Sequence, residues 1–225
     1  MNKSIWRGKH GPLLIAEIGG NHEGDFEYAK KLTKLAIAAD VDFIKFQLYT
    51  GDSLVNPLES ASRNEHFKKF ELSKENHLEL AELCKKNLVG YAASVWHEDF
   101  FSWIDDSLDF YKIGSGDLTA YPILKKIAGI GKPILLSTGL ATESEVIESV
   151  KFIQKINPYY IKTGRLALLQ CTSMYPITHS DAHLNVMDRL REITRLSHVG
   201  YSDHTIGIDA LKYAYAMNAD VLEFH

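Results

Sequence analysis

The stretch DFIKFQL (residues 42–48) alternates polar and apolar side chains in a way that decides between folds. Interpreted as a strand, it places Lys45 and Gln47 on one face and three large apolar side chains on the other. Strands of a buried parallel sheet normally consist of Val, Ile and Leu, so an ionisable residue inside one needs a reason. A barrel supplies the reason, because the apolar face meets the outer helices while Lys45 points inward.

Short apolar runs alternate with helical patterns along the whole chain, which is typical of βα units and a parallel sheet. The eight runs are LLIAEIG (13–19), DFIKFQL (42–48), VGYAASVW (89–96), FYKIGS (110–115), PILLST (133–138), LALLQCT (166–172), VGYSDH (199–204) and VLEFH (221–225). Eight such strands predict a TIM (β/α)8 barrel, here lacking its eighth helix. The rival is a doubly wound open sheet, but the G-x-G-x-x-G spacing that usually marks it does not follow the first run.

Composition narrows the class of protein. The 225 residues are 45% hydrophobic and 24% charged, which predicts one globular domain over residues 1–225. The net charge of −4, with acidic and basic residues interleaved, argues against nucleic acid or an anionic membrane as partner. The apolar run Leu13–Ile18 is short and broken by Glu17, so we predict a cytoplasmic protein without a signal peptide or membrane span. Cys84 and Cys171 form no CxxC pair and are predicted to be buried free thiols.

Two further patterns lie outside the strands. The stretch from Tyr49 to Leu72 is the one long connection and is a candidate substrate-covering loop. Thr142 and Glu145 form a T-x-x-E capping box at the start of a helix. Seven histidines outside the runs are interpreted as surface residues: His10, His66, His77, His97, His179, His183 and His198.

Several polar residues lie near the carboxyl ends of the predicted strands, where this barrel carries its active sites. They are Glu17, Lys45, Lys112, Ser202, His204, Glu223 and His225. A single strand histidine is more often a hydrogen-bonded core residue than a metal ligand. However, His204 and His225 end adjacent strands about 4.8 Å apart, so both imidazoles could reach one divalent cation. Lys45 and Lys112, near two serines, suggest an anion site, although each lysine could instead pair with a carboxylate.

Six motifs in order closely resemble the sialic acid synthase (N-acetylneuraminate synthase) family. They are AEIGGNHEG (16–24), IKFQLYT (44–50), YKIGSGD (111–117), KPILLSTGL (132–140), LLQCTSMYP (168–176) and GYSDHTIG (200–207). The resemblance implies a TIM barrel that condenses phosphoenolpyruvate with an N-acylated aldose such as N-acetylmannosamine. It also implies a divalent metal, Mn²⁺ or Mg²⁺, and a homodimer in which a small C-terminal antifreeze-like domain reaches across to the partner. We expect residues 1–225 to lack that domain.

The resemblance also implies roles for individual residues. His204 and His225 match the metal ligands, and Glu17 and Tyr175 lie on the sugar side. Asp117 faces the reacting carbon. The implied substrate-binding set is Lys45, Gln47, Ser94, Lys112, Ser115, Ser137, Tyr175 and Ser202, and the implied catalytic set is Glu17, Lys45 and Asp117. Two departures stand out: strand three reads ASVW rather than STPF, and Phe224 replaces a basic residue before the last histidine.

Two other functions remain open at the level of sequence. In a Schiff-base aldolase, Lys45 or Lys112 would attack a carbonyl substrate covalently. In a truncated paralogue, the barrel would bind ligands or partners without catalysis.

Overall fold

The computed structural model describes residues 5–225, which form eight parallel strands alternating with helices. The strands are β1 (Leu13–Gly19), β2 (Phe43–Leu48), β3 (Gly90–Val95), β4 (Tyr111–Ile113), β5 (Ile134–Ser137), β6 (Leu166–Cys171), β7 (Val199–Asp203) and β8 (Val221–Phe224). They follow one another in chain order around a closed barrel. The predicted TIM-barrel class is therefore confirmed, and no further helix follows β8 within the described residues.

The α-helices of the described chain differ widely in length. They are α1 (Phe26–Ala38), α2 (Gly51–Leu54), α3 (Ala61–Phe70), α4 (Lys74–Lys86), α5 (Phe101–Ile104), α6 (Tyr121–Ile130), α7 (Glu143–Ile156), α8 (Tyr159–Lys162), α9 (Val186–Thr194) and α10 (Asp209–Ala216). The predicted capping box at Thr142 is confirmed: its side chain accepts from the Glu145 amide and the Glu145 carboxylate accepts from the Thr142 amide. None of these helices is long and apolar enough to cross a membrane.

Four helices end at a residue other than glycine in the left-handed region of φ. Asp40, Leu88, Arg195 and Asn218 have φ of 56°, 58°, 56° and 59° just after α1, α4, α9 and α10. Glycine is the usual residue at such a position because its missing Cβ avoids a clash with the backbone. Each of these four helices leads directly into a strand, so all four ends lie at the amino ends of strands.

By packing, the chain divides into two compact units. The first, called the 16–109 unit, spans Ala16–Asp109 and contains β2, β3 and most of β1. The second, called the 110–225 unit, combines the chain up to Ile15 with Phe110–His225. In the 110–225 unit the indole of Trp6 is fully buried and donates to the Gly164 carbonyl over 2.7 Å.

A buried histidine in the 16–109 unit corrects the sequence analysis. His77 was expected at the surface, but it is only 1% exposed. Its Nδ1 lies 2.7 Å from the Tyr91 hydroxyl, and its ring meets Phe46 edge to face. The pattern could have shown this, because His77 shares the buried face of α4 with Leu80, Ala81 and Cys84.

The connection between β2 and α4 is ordered rather than an open loop. It contains α2 and α3, and the buried amide of Asn64 donates to the carbonyls of Gly51 and Val55 over 3.1 and 2.8 Å. The Gly51 amide in turn donates to Glu71. One polar side chain thus holds the two short helices together, and a substrate-covering role stays a prediction.

Candidate active site

The 16–109 unit carries a buried polar cluster on β1 and β2. The Lys45 ammonium forms an ion pair with the Glu17 carboxylate, and both side chains are nearly inaccessible to solvent. Gln47 Nε2 donates to Glu17 Oε1 over 3.4 Å. Lys45 and Gln47 are two residues apart on β2, so they share the strand face predicted from the alternation. Glu17 therefore compensates the charge of Lys45, as the simpler of the two sequence interpretations proposed.

The end of β1 is glycine for a steric reason. Gly19 has a φ of +52°, and a Cβ built there would lie 2.8 Å from Glu17 Oε1 and 3.4 Å from Gln47 Nε2. Any side chain at this position would push the carboxylate away from its partners. Backbone conformation and side-chain packing thus both favour glycine at the turn that leads into GGNHEG (19–24).

Ser94 belongs to the same face of the sheet. In the parallel register of β2 and β3 it lies opposite Gln47, and it is buried. Paired residues of neighbouring parallel strands point to the same side, so Ser94 adds a hydroxyl to the cluster of Glu17, Lys45 and Gln47.

The 110–225 unit carries a second buried cluster, on β4, β5, β7 and β8. Lys112 Nζ donates to Ser137 Oγ over 2.8 Å and lies 3.4 Å from Glu223 Oε1. The Ser202 hydroxyl donates to the same Glu223 oxygen over 2.8 Å. All four side chains are buried. The result is one ammonium paired directly with one carboxylate, each of which also forms a hydrogen bond with a serine hydroxyl.

Two serine hydroxyls and a backbone amide come together just after β5, beyond Ser137. The Gly139 amide donates to Ser115 Oγ over 3.1 Å. A Cβ at Gly139 would collide with the hydroxyl of Ser173 and lie 2.8 Å from that of Ser115. Glycine at this position therefore lets the hydroxyls of two loops, Ser115 and Ser173, approach its backbone closely.

His204 and His225 come together at the ends of β7 and β8. Their ring centroids are 5.3 Å apart. Nδ1 of His204 lies 2.6 Å from the Thr172 carbonyl, which can only accept, so Nδ1 carries the proton and Nε2 keeps its lone pair. The ring of Tyr175 lies against that of His204, tilted by 32° with 3.8 Å between centroids, although Tyr175 is itself 68% exposed.

The buried thiol of Cys171 adjoins His204. Sγ lies 3.9 Å from His204 Nε2, and both cysteines of the described chain are free and buried, as predicted. Burial by itself lowers the pKa of His204, but the contacts with Cys171 and the Thr172 carbonyl outweigh it and raise the pKa above the usual value of 6.5. Burial raises the pKa of Cys171, but His204 and Lys112 outweigh it and leave the pKa below its usual value.

The two imidazoles fit the divalent cation implied by the resemblance. Their separation lets both rings contribute a nitrogen to one ion, and the Thr172 carbonyl fixes the tautomer that leaves Nε2 of His204 available. Across residues 5–225, no group of three or more His, Cys, Asp or Glu side chains is placed to hold a metal ion. The remaining ligands of such an ion would therefore be water or substrate oxygen.

The remaining predicted residue lies on a loop after β4. Asp117 ends the one-turn 3-10 helix Ser115–Asp117 and is half-buried. Its backbone amide donates to the Gly114 carbonyl over 3.0 Å, which holds the turn that carries Ser115 and Asp117. The structure therefore places Asp117 two residues beyond Ser115, on the loop that leaves the strand of Lys112.

Sequence reasoning left two residues out of the candidate site. Glu223 was noticed on the inner face of β8 but received no role, although it accepts from Ser202 and pairs with Lys112. The signal was its position two residues before His225. Ser173 was missed because its proximity to Gly139 depends on the meeting of two loops.

Comparisons with known proteins agree with the motifs. Residues 32–225 match the NeuB family. The chain is 34% identical to N,N'-diacetyllegionaminic acid synthase of Campylobacter jejuni, over 95% of this chain and 66% of that protein. It is 30% identical to N-acetylneuraminate-9-phosphate synthase of Homo sapiens, over 97% of this chain and 62% of that protein.

A solved structure supports the same likeness. N-acetylneuraminic acid (sialic acid) synthetase of Leptospira borgpetersenii superposes with a TM-score of 0.86 at 29% identity, over 95% of this chain and 72% of that one. The chain spans 61%, 66% and 63% of the length of three curated relatives that it matches at 34–37% identity.

Proposed function

Because this chain belongs to the NeuB family, we propose that it is the barrel of a nonulosonic acid synthase. The proposed reaction condenses phosphoenolpyruvate with an N-acylated amino sugar and releases inorganic phosphate. The observation that carries the proposal is the buried Lys112 ammonium, which donates to Ser137 and pairs with Glu223, with Ser202 and the Ser115–Gly139 contact nearby. The Lys112 ammonium supplies a local positive charge, and the serine hydroxyls supply further hydrogen-bonding groups, for a multiply charged anion in a protein whose net charge is −4.

The proposed roles in the 110–225 unit follow from this network. Lys112, Ser115, Ser137 and Ser202 bind phosphoenolpyruvate, and Tyr175 lies on the sugar side. A divalent cation, Mn²⁺ or Mg²⁺, held by His204 and His225 would polarise the aldehyde oxygen of the sugar.

The proposed roles in the 16–109 unit rest on the family. Glu17 contacts the sugar, and its ion pair with Lys45 holds the carboxylate in place. Lys45, Gln47 and Ser94 are assigned to substrate binding, and Lys45 to phosphoenolpyruvate in particular. These assignments stay predictions.

The bond changes of the proposed reaction give Asp117 its role. The methylene carbon of phosphoenolpyruvate attacks the aldehyde carbon, the aldehyde π electrons move to its oxygen, which takes up a proton to become a hydroxyl, and positive charge is left on the former enol carbon. A carboxylate such as Asp117 has the right sign to stabilise that charge. Water then adds to this carbon and loses a proton, and the tetrahedral adduct expels phosphate to give the 2-keto acid.

A Schiff-base aldolase is the weaker alternative. Attack on a carbonyl needs a neutral amine, whereas Lys45 and Lys112 each lie beside a buried carboxylate. A neighbouring carboxylate favours the charged ammonium, which is not a nucleophile. The ion pairs therefore favour the synthase over the aldolase.

The test is phosphate release from phosphoenolpyruvate by the 225-residue chain with Mn²⁺, across a panel of sugars. The panel contains N-acetylmannosamine, 2,4-diacetamido-2,4,6-trideoxymannose and, as control, mannose. We expect release with an acylated amino sugar and none with mannose. A covalent pyruvate adduct trapped by borohydride would establish the aldolase instead. Binding of phosphoenolpyruvate in calorimetry, with no phosphate release for any sugar of the panel, would establish a non-catalytic barrel.

A further inference from the structure

Two aromatic side chains continue the inner faces of β2 and β3 beyond the buried cluster of the 16–109 unit. Tyr49 follows β2 directly and Trp96 follows β3 directly. The Trp96 amide donates to the Leu48 carbonyl over 3.1 Å, so the parallel register extends past the strand ends. The two ring centroids are 5.4 Å apart.

The register orders the side chains of these strands by polarity. Lys45 lies opposite Ala92 and Gln47 opposite Ser94. Two residues further along each strand, on the same face, come Tyr49 and Trp96. From inside the strand pair to its carboxyl end, the face therefore passes from a charged layer through a polar layer to an aromatic layer.

Tyr49 and Trp96 differ in what covers them. Tyr49 is only 4% exposed, because Phe67 of α3 packs against it edge to face at 5.7 Å between centroids. Burial, together with the negative charge of Glu71, raises the pKa of Tyr49 to about 12, so the phenol stays neutral. Trp96 is less buried, with part of the residue accessible to solvent. The buried Tyr49 ring thus packs against the Trp96 indole, and Trp96 is the more exposed residue of the pair.

We propose that Trp96, supported by Tyr49, is a specificity-determining residue that packs against the apolar face and the acyl methyl group of the amino sugar. The inference rests on the proposed function and goes beyond it by naming the residue that selects an acylated sugar. An amino sugar has both hydroxyls and C–H surface, and the face offers polar Gln47 and Ser94 directly before the aromatic pair. Pockets for small ligands combine a few placed polar groups with aromatic walls in this way.

The charge distribution of an aromatic ring favours the uncharged sugar over phosphoenolpyruvate as the ligand of Trp96. The face of an aromatic ring carries negative partial charge, which repels a polyanion such as phosphoenolpyruvate. The uncharged acetamido group and the C–H surface of a sugar meet no such repulsion. Glu17, assigned to the sugar, lies within hydrogen-bond distance of Gln47, the residue that precedes Tyr49 on this face.

The competing interpretation is that the aromatic pair only stabilises the strand pair. Cross-strand aromatic pairs do stabilise sheets. That interpretation predicts a loss of stability on truncation of Trp96 but no change in ligand preference. The two interpretations therefore differ in a measurable quantity.

The experiment measures the affinity of the 225-residue chain for the same sugar panel by calorimetry, with phosphoenolpyruvate measured separately. For Trp96→Ala we expect roughly tenfold weaker binding of the acylated sugars, a smaller loss for mannose, which lacks the acyl methyl group, and unchanged binding of phosphoenolpyruvate. Trp96→Phe keeps an aromatic face and should recover most of the affinity. Trp103→Phe, on α5, is the matched control and should behave like the wild type.

Fluorescence gives a second readout, independent of turnover. A change in tryptophan emission on saturation with an acylated sugar should persist in Trp103→Phe and disappear in Trp96→Phe. Sugar affinity and preference that stay within about twofold in Trp96→Ala would overturn the inference while leaving the proposed function standing. A wild-type chain that binds phosphoenolpyruvate but no acylated sugar would also overturn it, and one that binds neither substrate would overturn the proposed function as well.

Discussion

Lys45 and Lys112 are each buried beside a carboxylate, Glu17 and Glu223 respectively. Removing an ion pair from water costs several kcal/mol per ion, and the attraction between the charges often fails to offset it. A well-packed apolar pair would usually stabilise the fold as well or better. These charges therefore fit a functional role better than a stabilising one, and sequence alone could not identify their partners.

Removal of Lys112 tests that role. For Lys112→Ala we expect phosphoenolpyruvate to bind about 10- to 100-fold more weakly, because a charge-assisted hydrogen bond is lost. Loss of the positive charge beside the buried Glu223 carboxylate should also destabilise the fold by about 3–5 kcal/mol. Calorimetry measures the first effect and urea denaturation the second.

A double variant separates binding from stability. Lys112→Met combined with Glu223→Gln removes both charges, so it should recover most of the lost stability but none of the lost affinity. Normal phosphoenolpyruvate binding by the double variant would show that Lys112 serves the fold alone.

The histidine pair makes a prediction about metal. Either His204→Ala or His225→Ala should abolish Mn²⁺ binding in titration calorimetry, whereas His179→Ala, on the surface, should not. Affinity should fall as the pH falls, because an imidazole must lose its proton to bind. The contacts that raise the pKa of His204 should start this loss at a higher pH than an ordinary imidazole would. Unchanged Mn²⁺ affinity in His225→Ala would leave the histidines as core residues.

At the scale of the element, α4 buries a histidine that has to stay neutral. Burial lowers the pKa of His77 from 6.5 to about 3, and the nearby His22 adds to the effect. The unfolded chain therefore binds a proton between about pH 6.5 and pH 3 that the folded chain does not, so stability is fully present above this range and lost as the pH falls through it.

The loss should reach about 1.4 kcal/mol for each pH unit below 6.5. Urea denaturation at pH 7 and pH 5 measures it. His77→Gln cannot titrate, so its stability should depend less on pH than that of the wild type, even if it is lower throughout. His66→Gln, on the exposed face of α3, should keep the wild-type dependence. Equal pH dependence in His77→Gln and wild type would assign acid sensitivity to other groups.

Strands were easier to predict than the helices of the long connection. The run LLIAEIG (13–19) matches β1 residue for residue, because alternation and apolar character both mark it. By contrast, α3 buries only Asn64, so it has no apolar face to detect. Its helical state depends on the contacts of that amide with α2 and the residue after it, which are tertiary and leave no periodic signal.

At the scale of the whole molecule, the alternation of eight strands with helices was enough to predict the barrel, since few closed arrangements satisfy it. The alternation of side-chain direction along each strand predicted that residues such as Lys45 and His204 lie on the inner face. The alternation of side chains does not give distances between strands or loops. Contacts such as the hydrogen bond from Ser202 to Glu223, and the close approach of Ser115 to Gly139, therefore could not be predicted. The metal, the homodimer, the extent of the domain and the cytoplasmic location stay predictions.

The left-handed helix ends after α1, α4, α9 and α10 bear on how this barrel could evolve. A residue with a Cβ in that conformation costs about 1–2 kcal/mol, less for asparagine and aspartate. All four ends lie at the amino ends of strands, whereas the candidate site lies at the carboxyl ends. Replacement by glycine there would relieve strain far from the chemistry. Glycine substitutions at these four helix ends could therefore compensate for destabilising substitutions in the candidate site during evolution.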